Sequence, residues 1–396
     1  MKILLLTQVL PYPLDSGPKV KTGNVLKYLT QWHEVTLVSF VRGDQSAEVR
    51  HLEGYCKAVY TVPIERHKIR DVWYMGLSFL SNQPFLMIRD DRGEMRRLVD
   101  RLAAETDFDV VHADQHNMCQ YARRVKNARK VLDAHNALWL LFKRLADTMP
   151  IGPKKLLLNR DWRLLKKYEG KLCREFDHII AVSQEDRVAL EEAAGQPLED
   201  TLIIPIAIDT DEVAFVEREP EANHILHIGT MYWPPNIDGI LWFIREVYPY
   251  ILAEYPNLTF DVVGSRPPQE ILDYNRQDGI NVTGYVEDPT PYYEQTSMMV
   301  IPLRAGGGMR VKILNALSQG LPMVSTTLGA EGIVIESGKN ILIADEPKAF
   351  AQATLKLLKD RQFADELGRN GRKLAQEVYD YRVACQALDK IYEIQT

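Results

Sequence analysis

Three observations predict two parallel-sheet α/β domains joined by a linker. Short apolar, β-branched runs alternate with helical stretches, as in repeated strand–helix units. The series starts afresh in the second half, and a polar, acidic stretch from Asp209 to Asn223, with Pro220 near its end, separates the two series. At 396 residues the chain is too long for one ordinary core.

The first series of strands is KILLLT (2–7), EVTLVSF (34–40), AVYTV (58–62), DVVHA (109–113), KVLDA (130–134), HIIAV (178–182) and TLIIP (201–205). Helices are expected between them, for example over 18–31 and 92–104. The opening MKILLL could begin a signal peptide, but Thr7, Gln8, Pro11 and Pro13 cut the run short, so it reads as a first buried strand. The second series is HILHIG (224–229), LTFDVVG (258–264), INVTG (280–284), SMMVIP (297–302), PMVST (322–326) and NILIA (340–344), followed by helices over 347–359 and 361–394. This divides the chain into a first domain at 1–205, a linker at 206–223 and a second domain at 224–376. A C-terminal helix, 377–396, is expected to return to the first domain. Ligands of open α/β sheets bind beyond the carboxyl ends of the strands, so the chemistry is expected in the loops there, facing a cleft between the domains.

Composition narrows the class. Hydrophobic residues at 46% and charged residues at 26% are those of a soluble globular protein. The four cysteines are scattered, which suits a reducing compartment and excludes a disulfide framework or a C-x-x-C zinc site. No stretch has the roughly 18 apolar residues of a membrane span. A cytoplasmic protein is expected. Residues 1–205 carry a net charge of +4 and the remainder −10, pointing to an anionic partner on the first-domain side or to an uneven spread of surface charge.

The most informative segment is IPLRAGGGMRVKILNALSQGLPMVST (301–326), read as strand, glycine run, amphipathic helix, glycine stop and strand. Glycines 306 to 308 let a ligand approach the main chain, and the helix start beyond them offers amide groups and a partial positive charge to a diphosphate. Arg310 and Lys312 add cations, Ile313, Leu314 and Leu317 form the buried stripe, and Asn315 projects towards the same pocket. In the first loop, Gly17 precedes a helix start of the same kind. His135, at the end of the KVLDA strand, is placed to donate a hydrogen bond or move a proton; His112 lies one position further inside its strand. The triplets Asp107-Phe108-Asp109 and Asp209-Thr210-Asp211 are taken as solvated carboxylates, and no metal is expected. Residues 153–174 hold eight cations against Asp161 and Glu169, with leucines and Trp162 interleaved. The stretch fits either an ordinary helix packing its leucines on the sheet or one resting on an anionic membrane, which would put the protein at the inner face of the cytoplasmic membrane. No nucleic-acid module is present, and none is expected as a partner.

With these pieces in order the chain resembles the retaining glycosyltransferases of family 4, which have the GT-B fold of two facing Rossmann-like domains. PYPLDSG, DAHNA, AVSQED, HIGTMYWPPNIDGILWF, VTGYVED and above all IPLRAGGGMRVKILNALSQGLPMVSTTLGAEGI carry the resemblance, which is to a branch acting in bacterial exopolysaccharide or surface-glycan assembly. It implies a nucleotide diphosphate-sugar donor, a glycan or lipid-linked acceptor, and no metal or other cofactor. Gly17 would lie beneath the donor diphosphate and His135 beside the transferred sugar, with Tyr285 and Val286 facing the base. Gly307, Gly308 and Met309 would give main-chain contacts, and Arg310 and Lys312 would stabilise the leaving diphosphate. Gly229, Thr230, Asn236, Gly264 and Asn315 complete the donor side. The sequence departs from the family where two glutamates are usual, at Gly307 and Asn315. It departs again where an Arg and a Lys are usual, at Thr230 and about Pro235-Asn236. Both changes shift phosphate binding onto Arg310 and Lys312. A non-hydrolysing sugar-nucleotide epimerase, which needs a carboxylate pair, and a sugar-nucleotide-binding assembly protein without turnover are the alternatives.

Overall fold

A computed structural model describes residues 1–219 and 222–393. Pro220 and Glu221, within the expected linker, and residues 394–396, at the end of the expected last helix, lie outside the described residues. The chain forms two compact units, Met1–Ala207 with the C-terminal segment from Ala384, and Ile208–Val383.

In the first unit, β1 (Lys2–Thr7) leads to α1 (Gly17–Leu29), β2 (Glu34–Val41), α2 (Ser46–Glu53) and β3 (Ala58–Pro63). Next come α3 (Lys68–Ser81), α4 (Phe85–Arg89), α5 (Gly93–Glu105), β4 (Val110–Asp114), α6 (Cys119–Ala122) and β5 (Arg129–Ala134). The unit continues with α7 (Leu138–Thr148), α8 (Pro153–Glu175), β6 (His178–Ala181), α9 (Gln184–Ala194) and β7 (Leu202–Ile203). The seven strands are parallel, in the order β3-β2-β1-β4-β5-β6-β7. Helices on both faces bury Ile3 to Leu6 completely, which is why the first strand reads as an unbroken apolar run.

The second unit repeats the plan with β8 (His224–Ile228), α10 (Pro234–Trp242), α11 (Tyr248–Leu252), β9 (Thr259–Val263), α12 (Gln269–Leu272) and β10 (Ile280–Gly284). It goes on through α13 (Thr290–Gln295), β11 (Thr296–Ile301), α14 (Val311–Gln319), β12 (Met323–Ser325), β13 (Leu342–Ile343), α15 (Pro347–Lys359) and α16 (Arg361–Leu374). Its six parallel strands run β10-β9-β8-β11-β12-β13. An aromatic cluster fills the core, with Phe243 and Phe260 ring centres 4.7 Å apart. In each sheet the chain reverses its direction of strand addition once, between β1 and β4 and between β8 and β11. Such switch points open a crevice at the carboxyl ends of the strands.

Two expectations are corrected. The helical stretch expected over 361–394 is broken at Asp380, whose backbone is extended (φ −66°, ψ 134°). The Asp380 carboxylate accepts bonds from the Thr210 amide (3.2 Å) and hydroxyl (2.6 Å) and from Arg382 (2.7 Å), which hold it in that geometry. Beyond Ala384 the chain packs on the first sheet, where the Tyr392 hydroxyl lies 2.6 Å from His112 Nδ1 and Tyr28 donates to Asp389 (2.6 Å). Of Asp209-Thr210-Asp211, expected to be solvated, Asp211 is exposed but Asp209 is buried, and both carboxylates lie against Arg382.

Candidate active site

The expected anion-binding residues of the second unit gather at its switch point. The loop after β11 carries Gly306 to Gly308, with left-handed φ values of 102° at Gly306 and 81° at Gly308 that favour glycine. The glycine run does not open the helix directly. The helix begins at Val311, after the loop has closed around Arg310, whose Nη1 donates to the Gly307 carbonyl and to that of Gly308 (2.7 Å). Arg310 is the N-cap residue and provides no side-chain cap; its carbonyl accepts from the Ile313 amide (2.9 Å), and the amides of Val311 and Lys312 lie at the open start of the helix. The Met309 side chain is buried.

Lys312 lies one residue into the helix, with Nζ 3.3 Å from Asn236 Oδ1 and 3.4 Å from His227 Nε2. Among the described residues no carboxylate lies within ion-pair distance of it. Burial, with the nearby charge of Arg310, pushes its ammonium down to about 7. His227 is fully buried on β8, and its Nδ1 lies 2.9 Å from the Val300 carbonyl. A carbonyl can only accept, so Nδ1 carries the hydrogen and Nε2 turns its lone pair to the lysine. Burial first, and then the charge of Lys312, hold this imidazole well below its ordinary pKa, so it is neutral. Asn236, in the first turn of α10, donates to the Thr230 carbonyl (2.8 Å) while its oxygen faces Lys312. Thr230 itself is exposed.

Close main-chain packing makes the room. A Cβ on Gly229 would meet Lys312 Nζ at 2.6 Å, and one on Gly264 would meet the Gly229 carbonyl oxygen at 1.6 Å. Both positions need glycine for the ammonium to reach the strand ends. Asn315, three residues after Lys312 and on the same side of α14, is half-buried. Tyr285 is 76% exposed after β10, with Val286 half-buried beside it; β10 lies two strands, about 10 Å, from β8. The arrangement sets two cations, Arg310 and Lys312, beside neutral groups at the strand ends, a chemistry suited to a diphosphate.

The first unit brings a second cluster to its own switch point. His135 is 9% exposed; its Nε2 lies 2.8 Å from Asp114 Oδ1, and that oxygen also accepts from the Thr22 hydroxyl (2.9 Å). Gln115 approaches Nδ1 only to 3.5 Å, which leaves that nitrogen for a ligand. Asp114 and Asp133 are register partners on β4 and β5. The fully buried Lys21 pairs with Asp133 at 2.7 Å and donates to the Ile204 carbonyl (3.2 Å). Burial opposes the charge of Asp133, but Lys21, with His112 and His135 nearby, holds its carboxyl well below the usual range. Asp114, Asp133 and His135 offer ligand atoms within 4.8 Å of one another, a spacing that could hold a metal ion, yet the Lys21 ammonium already stands against Asp133. Gly17 is the first residue of α1, whose N-cap, Ser16, makes no side-chain cap bond.

His227, Lys21, Thr22 and Asp114 are further candidate site residues, carried by no motif of their own in the sequence. A weak signal existed for Asp114, a carboxylate at the carboxyl end of a strand, like His135. In helix 153–174 the only two carboxylates before the last turn point inward. Asp161 accepts from the Phe85 amide (3.0 Å), while Glu169 accepts from the amides of Leu138 (2.8 Å) and Trp139 (2.9 Å) and lies 2.9 Å from His116.

Two doubly wound parallel units in one chain are the parts of a GT-B fold. The description Glycosyltransferase Family 4 matches residues 22–212, and Glycosyl transferases group 1 matches residues 222–360. The chain belongs to the glycosyltransferases of family 4. It is 22% identical to an uncharacterized 44.6 kDa protein in the cps region of Klebsiella pneumoniae, over 98% of this chain and 99% of the relative. Identity is also 22% to the capsular polysaccharide biosynthesis glycosyltransferase CapM of Staphylococcus aureus, over 37% of this chain and 40% of the relative. The Anabaena protein HepE in complex with UDP-glucose shares the fold with a TM-score of 0.66 at 16% identity, over 100% of both chains. Sucrose-phosphate synthase from Thermosynechococcus elongatus does so with a TM-score of 0.70 at 14% identity, over 99% of this chain and 98% of that one.

Proposed function

We propose that this glycosyltransferase moves a hexose from a nucleotide diphosphate-sugar to a glycan or lipid-linked acceptor in the assembly of a surface polysaccharide. The observation that carries the reading is Lys312, a cation among neutral groups and another cation, at the switch point of the second unit. A diphosphate supplies the missing negative charge. The capsule-associated relatives support the surface-polysaccharide setting, and the HepE complex, of like fold, contains UDP-glucose.

In the proposed reaction the bond from the anomeric carbon to the diphosphate breaks, and the acceptor oxygen joins the same face, retaining configuration. The acceptor proton passes to the leaving phosphate oxygen. Lys312, the first-turn amides of α14 and Arg310 stabilise the charge that develops there, without a metal. His135, its ring oriented by Asp114, contacts the transferred sugar through Nδ1. The proposed setting is the cytoplasm; among the described residues the four cysteines are buried and form no disulfide.

Incubation with UDP-, GDP-, ADP- and dTDP-sugars plus a crude glycolipid acceptor tests this. The expected result is free nucleoside diphosphate from one donor, undiminished by chelator. Interconversion of the sugar with the diphosphate intact would mean an epimerase. Binding without release would favour the assembly-protein reading, which Asn315 in place of a glutamate motivates, and a strict divalent-cation requirement would contradict the metal-free step.

A further inference from the structure

Helix α3 has an outer face that nothing in its own unit covers. Ser78 is its only buried residue. On its inner side Tyr74 is stacked under Arg92 (5.1 Å), and the Ser78 hydroxyl donates to the Gln83 carbonyl (2.6 Å). Outward stand Ile69 (87% exposed), Val72 (73%), Trp73 (62%), Phe79 (51%) and Leu80 (87%). Their spacing, at i, i+3, i+4, i+10 and i+11, is that of one helical stripe. A soluble helix normally turns such a stripe to the core.

The start of α8 extends the patch. Arg160 lies over the Phe79 ring at 4.1 Å and donates to the Ser78 carbonyl (2.6 Å), which joins the end of α3 to that face of α8. Leu156 (70% exposed) and Leu157 (38%), four and three residues before Arg160, share its side of the helix, and Ile151 (97%) precedes them. Cations border the apolar surface: Lys68 and Arg70 at the start of α3, and Lys154, Lys155 and Arg163 on α8. Asp71 is the one carboxylate on α3 and is half-buried. Asp161 and Glu169, which would have offset the cations of α8, are turned inward as caps.

We infer that this surface seats on an anionic lipid bilayer, with α3 lying in the interfacial plane. A convex stripe holding a tryptophan and flanked by Lys and Arg has the composition of an interfacial helix, and the cations meet the negative surface potential of the lipid. A second copy of the chain would set cations against cations. No helix among the described residues is long and apolar enough to cross a membrane, so the contact is peripheral. The seat lies on α3 as much as on 153–174, whose leucines at 164, 165 and 172 are buried in the unit.

Co-sedimentation of the full chain with vesicles tests the inference. Binding is expected to equal parts of phosphatidylcholine and phosphatidylglycerol, at least tenfold stronger than to phosphatidylcholine alone, and weaker in high salt. Val72→Asp with Trp73→Asp should cut it at least tenfold. Lys154→Glu with Lys155→Glu should abolish the preference for anionic lipid, while Val334→Asp, an equally exposed site in the second unit (70% exposed), should change nothing. Melting temperatures check that the variants fold; Val72, Trp73, Lys154 and Val334 are exposed, while Lys155 is half-buried with its ammonium 3.0 Å from the Met149 carbonyl. Failure to bind anionic vesicles, or equal binding by the α3 double variant, overturns the inference. So does a dimer in light scattering that the α3 substitutions dissolve.

Discussion

Lys312 is held by contacts that leave its charge unanswered. Asn236 and neutral His227 offer lone pairs, but burial first, and then repulsion from Arg310, pushes the ammonium down to about 7. The sign of the consequence follows. Below about pH 7 the empty site is charged and ready for an anion; above it the free protein loses the proton that a bound diphosphate requires. Affinity for a nucleoside diphosphate is therefore expected to fall as pH rises from 7 to 9, by up to about tenfold per unit. Working above pH 7 keeps the terminal phosphate, whose second pKa is about 6, ionised throughout. Calorimetric titration in that window, with Lys312→Met as the control, reads the effect; a flat profile in the parent protein would show that Lys312 does not face the anion.

The strand ends and the loops beyond them are what place these side chains. Gly229 continues β8 and Gly264 continues β9, with main chains so close that any Cβ at 264 collides with the Gly229 carbonyl. Gly264→Ala should cost at least about 2 kcal/mol in denaturant unfolding and disturb the Lys312 recess with it. Undiminished stability would place the two main chains further apart. Much at this scale was legible in the sequence. Strands buried on both faces leave continuous apolar runs, and thirteen such runs became thirteen strands. The terminal runs TLIIP and NILIA shrank to two-residue edges, where a strand has a partner on one side only. The break at Asp380 was not legible, because it is imposed by Thr210 and Arg382 rather than by a proline or glycine. The same limit applies to the site. Glycine runs and cations announce themselves locally, whereas His227, Lys21 and Asp114 matter through their neighbours across a sheet.

At the scale of the whole molecule, the same doubly wound plan serves two different chemistries. One switch point holds Lys312, with no ion-pair partner among the described residues, where the donor diphosphate is proposed to bind. The other holds a packed polar cluster in which Lys21 stands against Asp133 and Asp114 orients the His135 imidazole. The uneven charge of the chain also has a structural reading, since the basic first half turns two carboxylates of α8 inward and leaves its cations outside, beside the apolar stripe of α3. The central claim, that the recess around Lys312 receives the donor diphosphate during sugar transfer, is tested most directly by one comparison. Single-turnover release of nucleoside diphosphate from the preferred donor is measured for the parent protein and for Lys312→Ala. The account predicts at least a tenfold slower release, about 1.4 kcal/mol of lost barrier stabilisation, in a variant that still folds. Equal rates, or no release by the parent from any sugar nucleotide, would contradict it.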